Sequence, residues 1–327
     1  MDAPSFEAVA ASLRSSRGLA AKADIHGVAS RLGITAPDGV AVGDDCAAIP
    51  DGDGHLLFAI EGFMNEFVAA DPWFAGWCGV MVNLSDIAAM GGRPLAVVDA
   101  VWAQGLETAT PVLEGLRAAS AAYGVPIVGG HSNIRTPQAQ LAVAVLGRAG
   151  RQLLTSFDAR PGDDLLCVVD HRGSYREPFN NWQAALAAPP ERLRGDLALM
   201  ATLAERGLAR AAKDISQGGI PGTAAMLAEC SGVGVEIDLD AVRCPPGVAL
   251  ERWLASFPSF GFLIAAPSAR TPAILDLFGS AGLSAAPIGR VVAGSEVALV
   301  SGDRRAVIRD HAKEALMGFG AATEGAS

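Results

Sequence analysis

The chain has 327 residues, half of them hydrophobic, a formal net charge of −10, and lysine only at Lys22, Lys213 and Lys313. That length points to two domains with sizeable cores, and the charge excludes a nucleic-acid footprint or docking to an anionic membrane, while leaving room for a nucleotide held through a metal. Five scattered cysteines without a CxxC, no basic leader ahead of an apolar core, and no apolar run of membrane-spanning length predict reduced, mostly buried thiols in a cytoplasmic protein.

In chain order, residues 5 to 32 read as helical, broken by the basic RSSRG at Arg14 to Gly18. This arm is either solvated and flexible or folds over bound phosphates. Leu56 to Ile60 is a buried strand closed by Glu61-Gly62. The stretch around which the chain is organised follows: VNLSDIAAMGGRP, Val82 to Pro94. Trp77, Val80, Leu84 and Ile87 are spaced like the buried stripe of a helix, Gly91 and Gly92 end it, and Pro94 bars its continuation. Asn83 and Asp86 share a face of that helix. A carboxylate inside so apolar a helix is costly unless it is paired or holds a cation. Asp86 is therefore either a structural residue bonded to a neighbouring loop or a metal ligand, and the stretch alone leaves both open.

Leu95 to Trp102 is a second strand. Pro111 to Tyr123 is a helix with Pro111 in its first turn. Val125 to Val128 is a strand ending in a GGHS loop, Gly129 to Ser132, and Leu141 to Leu146 is a fourth strand; strands and helices mix through this half, with some neighbouring strands expected to be antiparallel. The turn-rich FDARPGDD, Phe157 to Asp164, is a linker dividing a domain of residues 1–156 from one of 157–327. Beyond it the pattern predicts a strand over Leu165 to Val169, a long helix over Asp196 to Ala212, and a tight DISQGG loop from Asp214. A helix over Thr223 to Cys230, strands at Val233 to Leu239 and Phe260 to Ala265, a helix over Ala269 to Ala281 and strands within Val291 to Val300 follow. The tail GFGAATEGAS is small and polar and is expected to fray.

Walker A, a GxSxG elbow and a histidine–cysteine zinc cluster are all absent, and GVG at Gly232 lies between a helix and a strand, the wrong order for a dinucleotide fingerprint. The histidines are isolated; His131 alone, preceded by glycines, merits weighing. What remains is carboxylates at the edges of apolar segments: Asp44 and Asp45, Glu61, Asp86. Acids from separate elements converging on one point repel unless a metal joins them, and magnesium takes hard oxygen ligands together with substrate phosphates. Each acid by itself is equally at home as a cap or turn residue. The loops GGHS, with Arg135 nearby, and DISQGG have backbone N–H groups suited to phosphate, or glycines serving tight turns. The segment His171 to Ala185 gathers Arg172, Tyr175, Arg176, Phe179, Asn180, Asn181 and Trp182 in one loop. It is either a specificity loop or a surface loop anchored by Phe179 and Trp182.

Together and in this order, VGDD at Val42, NLSDIAAMGGRP at Asn83, GGHS at Gly129 and AKDISQGG at Ala212 resemble the superfamily of aminoimidazole ribonucleotide (AIR) synthetase, the PurM-like proteins. It also holds thiamine-monophosphate kinase, selenophosphate synthetase and the hydrogenase-maturation carbamoyl dehydratase. The likeness runs from about Gly43 onward, is strongest to the kinase branch among these, and extends to an AIR-synthase-related subgroup, the sll0787-like proteins. It implies a mixed α/β fold. An amino-terminal domain would dimerise through its sheet, a carboxy-terminal domain would close a cleft, and ATP would bind there through Mg²⁺. By position, Asp44, Asp45 and Asp86 would hold Mg²⁺, with Glu61 one methylene longer than the kinase's aspartate. Asn83, Gly129, Gly130 and Ser132 would meet the nucleotide, and Asp214 and His131 would act in catalysis. The 171–185 segment has no counterpart in that family; as a specificity loop, its Arg176, Asn180, Asn181 and Trp182 would recognise a small-molecule acceptor.

The departures narrow the activity. His131 stands where the kinase has the aspartate of GGD, and Gln217 where it has an acid of the acceptor site, which counts against thiamine-phosphate kinase activity. The substrate loop of the ribonucleotide synthetase, the amino-terminal cysteine of selenophosphate synthesis and the carboxy-terminal cysteine of the dehydratase have no counterparts. The expectation is a homodimeric Mg-ATP enzyme that phosphorylates or activates a small metabolite. Its alternatives are an ATP-driven cyclo-ligase or dehydratase working through a phosphorylated intermediate, and a nucleotide-binding partner subunit without turnover.

Overall fold

The computed structural model describes residues 6–15, 17–34 and 41–320. The first half runs α1 (Phe6–Arg14), α2 (Arg17–Lys22), α3 (Asp24–Leu32), β1 (Ala47–Asp51), β2 (Gly54–Phe63), α4 (Asn65–Ala70), α5 (Pro72–Ala89), β3 (Arg93–Gln104), α6 (Leu106–Tyr123), β4 (Ile127–Asn133) and β5 (Arg135–Ala149). The second continues with β6 (Asp163–Val169), β7 (Ser174–Tyr175), β8 (Asn181–Gln183), α7 (Pro190–Glu205), β9 (Ala211–Asp214), α8 (Gly219–Ser231) and β10 (Gly234–Asp238). It ends with α9 (Leu250–Leu254), β11 (Phe257–Pro258), β12 (Gly261–Pro267), α10 (Thr271–Gly279), β13 (Ser284–Val292), β14 (Glu296–Ser301) and β15 (Arg304–Asp310). The fold is mixed α/β. It forms two compact units, one of Asp45–Leu153 with Ala187–Glu205, the other of Met1–Asp44, Leu154–Leu186 and Arg206–Ser327. Among the described residues no helix is long and apolar enough to cross a membrane. Cys46, Cys78, Cys167 and Cys230 are buried and Cys244 is half-buried.

In the first of these units the sheet order is β1-β2-β5-β3-β4, with β3 and β4 parallel and the other pairs antiparallel. Strand alternation sends Leu57, Ala59, Val143 and Val145 to one face, where they are buried. That face is covered by α5 and α6. Helix α5 starts on the Asp71 side chain, which accepts from the Phe74 N–H (3.3 Å), with Pro72 at the first position. It ends where Gly91 turns to φ +74° and the Gly92 N–H reaches back to Ile87 O (2.9 Å). The expected stripe is there, but nearly the whole circumference is buried, because α6 packs closely along α5 in addition to the sheet.

Four local expectations change here. β2 does not close at Glu61-Gly62 but runs on to Phe63, with Glu61 paired to Val143. Helix α6 begins at Leu106, so Pro111 lies inside it rather than in the first turn; beside the proline, the Thr110 hydroxyl donates to Leu106 O (2.8 Å). GGHS is not a loop but part of β4, whose parallel partner β3 supplies the ladder. The helix expected to end at Ala212 is α7, which ends at Glu205; Gly207 at φ +60° breaks it, and Ala211–Asp214 is instead the strand β9. Burial in a sheet overrides the helical propensity of the alanines there.

The second unit is built on a seven-stranded sheet, β15-β14-β10-β13-β6-β12-β9, and a small one, β11-β8-β7. β15 was not foreseen from the pattern. The amino-terminal arm is packed rather than solvated: α1 buries Phe6, Val9, Ala10 and Leu13 in this unit's core, and the Arg14 Nε–H donates to Val307 O (2.8 Å). Ser16 of RSSRG lies outside the described residues. Only the front of FDARPGDD is a turn. Asp163 and Asp164 open β6, buried; Asp163 pairs with Arg210 (3.3 Å), and Asp164 accepts from the Ser268 and Thr271 hydroxyls (2.8 and 2.6 Å). The tail does not fray at its start, where the Gly318 N–H donates to Glu229 (2.6 Å); residues 321–327 lie outside the described residues.

Candidate metal and nucleotide site

Asp86 is 5% exposed on α5, and one of its carboxylate oxygens lies within 4.8 Å of one from Asp45. What brings Asp45 there is the entry to β1: the Cys46 N–H points at Met90 Sδ (3.2 Å), at the end of α5. One turn earlier Asn83 is fully buried. Its Nδ2 donates to Gly79 O (2.8 Å), and its Oδ1 is buried with no hydrogen-bond partner among the described residues. Two carboxylates and an amide oxygen are hard donors, with no thiolate or imidazole among them. This set fits magnesium and not zinc.

The other predicted residues of this unit sit on the sheet. A methyl group on Gly79 of α5 would meet Val143 Cγ2 at 2.9 Å, so the Val143 row faces α5. Glu61 and Asp99 flank Val143 from β2 and β3, and Gly130 follows Asp99 on β4. Glu61, Asp99 and Gly130 therefore share the α5 face. Ser132, two residues on, lies on that face too, while Gly129 and His131 point to the other. The sheet thus separates the His131 side chain from Asp86, which corrects the expectation of one shared constellation. The His131 ring packs toward Trp102 (6.3 Å between centroids) on the outer face. Asp99 is the residue the sequence reading missed. Its carboxylate lies against Gly130, where a methyl group would meet Asp99 Oδ2 at 2.8 Å, and burial holds its pKa above the usual carboxylate value. The signal was available: an acid at an inward position of an otherwise apolar strand.

In the other unit, both oxygens of Asp44 accept from Ser156, from its N–H (2.7 Å) and its hydroxyl (2.6 Å). These bonds tie Asp44 to the turn at Ser156. Asp214 ends β9, buried at 5%, beside the equally buried Lys213, and the Ser216 hydroxyl of the same loop is buried without a partner among the described residues. In the 171–185 segment Trp182 is buried, its indole N–H donates to Asp170 O (2.9 Å), and its ring packs edge-on to Tyr175 and Trp253. It anchors the small sheet, as the reading of a loop anchored by Trp182 expects. Phe179 is half-buried. Arg252 lies over the Tyr175 ring (3.6 Å) and pairs with Glu177 (2.9 Å). Burial pushes the Tyr175 phenol up and the His171 imidazole down. Arg176 and Asn181 are half-buried and Asn180 is exposed.

Such a site on such a fold has relatives. Residues 43–149 match the family model of AIR synthase related protein, N-terminal domain, and residues 173–302 that of the C-terminal domain. Protein sll0787 of Synechocystis sp. is 44% identical over 313 residues, covering 94% of this chain and 96% of that one. The thiamine-monophosphate kinase of Methanospirillum hungatei is 30% identical over 235 residues, 67% of this chain and 78% of the kinase. Among solved structures, AaThiL complexed with AMPPCP and TMP superposes with a TM-score of 0.64 at 20% identity, over 85% of this chain and 93% of that one. T. maritima PurL complexed with ATP superposes at 0.74 and 19%, over 97% of this chain and 53% of PurL, so this chain spans about half of that protein's length. The chain belongs to the AIR synthase related family, and its fold is PurM-like.

Proposed function

We propose that this protein binds ATP through Mg²⁺ and transfers a phosphoryl group to, or thereby activates, a small metabolite. The observation that carries this is the approach of half-buried Asp45 and buried Asp86 to within 4.8 Å. Like charges so placed disfavour each other unless a cation neutralises both. Asp45 and Asp86 would hold the metal with Asn83 Oδ1 oriented beside them. The metal, when bound, neutralises phosphate charge and aligns the transferred group. Glu61, Asp99 and the side-chain-free Gly130 share the sheet face that α5 covers, and on this reading they meet the nucleotide. Asp214 is assigned to the acceptor end of the reaction, and Arg176, Asn180 and Asn181 to its recognition. Kinship to a thiamine-monophosphate kinase and to an ATP-complexed PurL supports ATP as the nucleotide. Isothermal titration decides it: ATP with Mg²⁺ is expected to bind in the micromolar range typical of enzyme substrates, about 1 μM to 1 mM, and binding that survives unchanged in excess EDTA overturns the metal-dependent reading. Product analysis then separates a kinase, which leaves a phosphorylated acceptor, from a ligase, which releases phosphate.

The active species is a homodimer on this reading. The outer sheet face exposes Phe58 (49%), Ile60 (66%), Val98 (40%) and Val128 (64%), a contiguous apolar surface that a second copy would cover. His131 lies on the same face and would act at the junction of the two copies. Ile60→Asp is expected to halve the mass seen by sedimentation equilibrium. A parent protein that sediments as a monomer removes the dimer.

A further inference from the structure

The end of the described chain is clamped by one buried side chain. Glu229, within α8 and 3% exposed, accepts the backbone N–H groups of Leu316 (2.5 Å), Met317 (2.9 Å) and Gly318 (2.6 Å). Leu316 and Met317 are themselves buried, at 1% and 3%. This strap delivers the Phe319 ring onto Gly43, so closely that a methyl group there would meet Phe319 Cγ at 2.3 Å. Gly43 sits at φ +108°, in a stretch of bends with no ladder of its own. It depends on its neighbours for its shape. Those neighbours grip it from three sides: Phe319 on its Cα, the Cys230 thiol toward its carbonyl (4.0 Å), and Ser156 on the Asp44 carboxylate. Ser156 is held in turn, its carbonyl accepting the Ser231 hydroxyl (2.7 Å) at the end of α8. Asp44 is peptide-bonded to Asp45.

We propose that the strap Leu316–Phe319, clamped by Glu229, positions the cation-binding loop: Phe319 fixes the Gly43–Asp44 turn and with it the backbone that presents Asp45. Phe319 is a positioning residue, since it would act through the Gly43–Asp44 turn against which its ring packs. The role in cation binding rests on the Mg-ATP reading above; the grip on the turn does not. Two readouts on Phe319→Ala, Phe319→Leu and Glu229→Gln keep them apart. Hydrogen exchange of the amides at 43–46 reads the turn without any ligand, and titration with Mg²⁺ and ATP reads the site. Phe319→Ala is expected to speed exchange at 43–46 and to weaken Mg-ATP binding on the order of tenfold, the effect of removing a group that orients a ligand, with Phe319→Leu restoring most of both. Glu229→Gln, which keeps the shape but not the charge that holds three amides, should follow Phe319→Ala. Unchanged exchange at 43–46 in Phe319→Ala overturns the proposal. Faster exchange with unchanged Mg-ATP affinity also overturns the positioning role. A parent protein that fails to bind Mg-ATP at all overturns the functional reading, while exchange still reports whether the strap holds the turn.

Discussion

Asp86→Asn is expected to weaken Mg-ATP binding on the order of 100-fold or more, while the ligand-free variant melts no lower than the parent. The two halves of this result have one cause. Asp86 is 5% exposed, with a second carboxylate within 4.8 Å. Without a cation, removing one of two close negative charges relieves repulsion. With a cation, the same change removes an anionic oxygen from the coordination shell, for which an amide is a poor substitute. A purely structural acid gives the opposite pattern: loss of its charge-assisted bonds lowers stability, and nucleotide binding changes little. Melting curves with and without Mg-ATP, alongside the titration, distinguish the two. A lowered melting temperature with unaltered affinity eliminates Asp86 as a ligand.

That Asp86 was worth testing was legible in the sequence, for a physical reason. The period of Trp77, Val80, Leu84 and Ile87 fixes which way α5 faces, and the glycines after it fix where it stops. Asp86 and Asn83 could then only point into protein. The α/β character followed from the same local periodicities. What local pattern does not carry is pairing. GGHS looks like a loop because glycine usually marks one, yet β3 captures it as an edge strand. Only the register shows that His131 and Gly130 face opposite ways. The same register was needed to see Asp99 aligned with Glu61 across Val143. AAKD is helical by propensity and a strand by burial. The tail looked free because Gly and Ala dominate it, and its anchor, Glu229, lies about ninety residues upstream.

The largest effect on stability is expected where α5 meets α6. A methyl group on Gly115 would lie 1.9 Å from Trp73 O and 2.8 Å from the Trp77 nitrogen, and one on Gly76 would lie 2.1 Å from Val112 O. The helices touch backbone to backbone, and neither carbonyl can swing aside without breaking its own helix. Gly115→Ala gains about 1 kcal/mol of helix propensity but must part the two helices, an overpacking cost of about 3 kcal/mol. The net is a loss, lowering the melting temperature by roughly 4 °C or more. Because α5 carries Asp86, the displaced helix should also bind Mg-ATP more weakly than the parent at temperatures where the variant is folded. Gly195→Ala in α7 is the matched control: nothing lies within 4 Å of the added carbon, so only the propensity term remains and the variant should melt slightly higher. If both substitutions shift the melting temperature the same way, backbone contact is not what holds α5 in place, and the position of Asp86 needs another explanation.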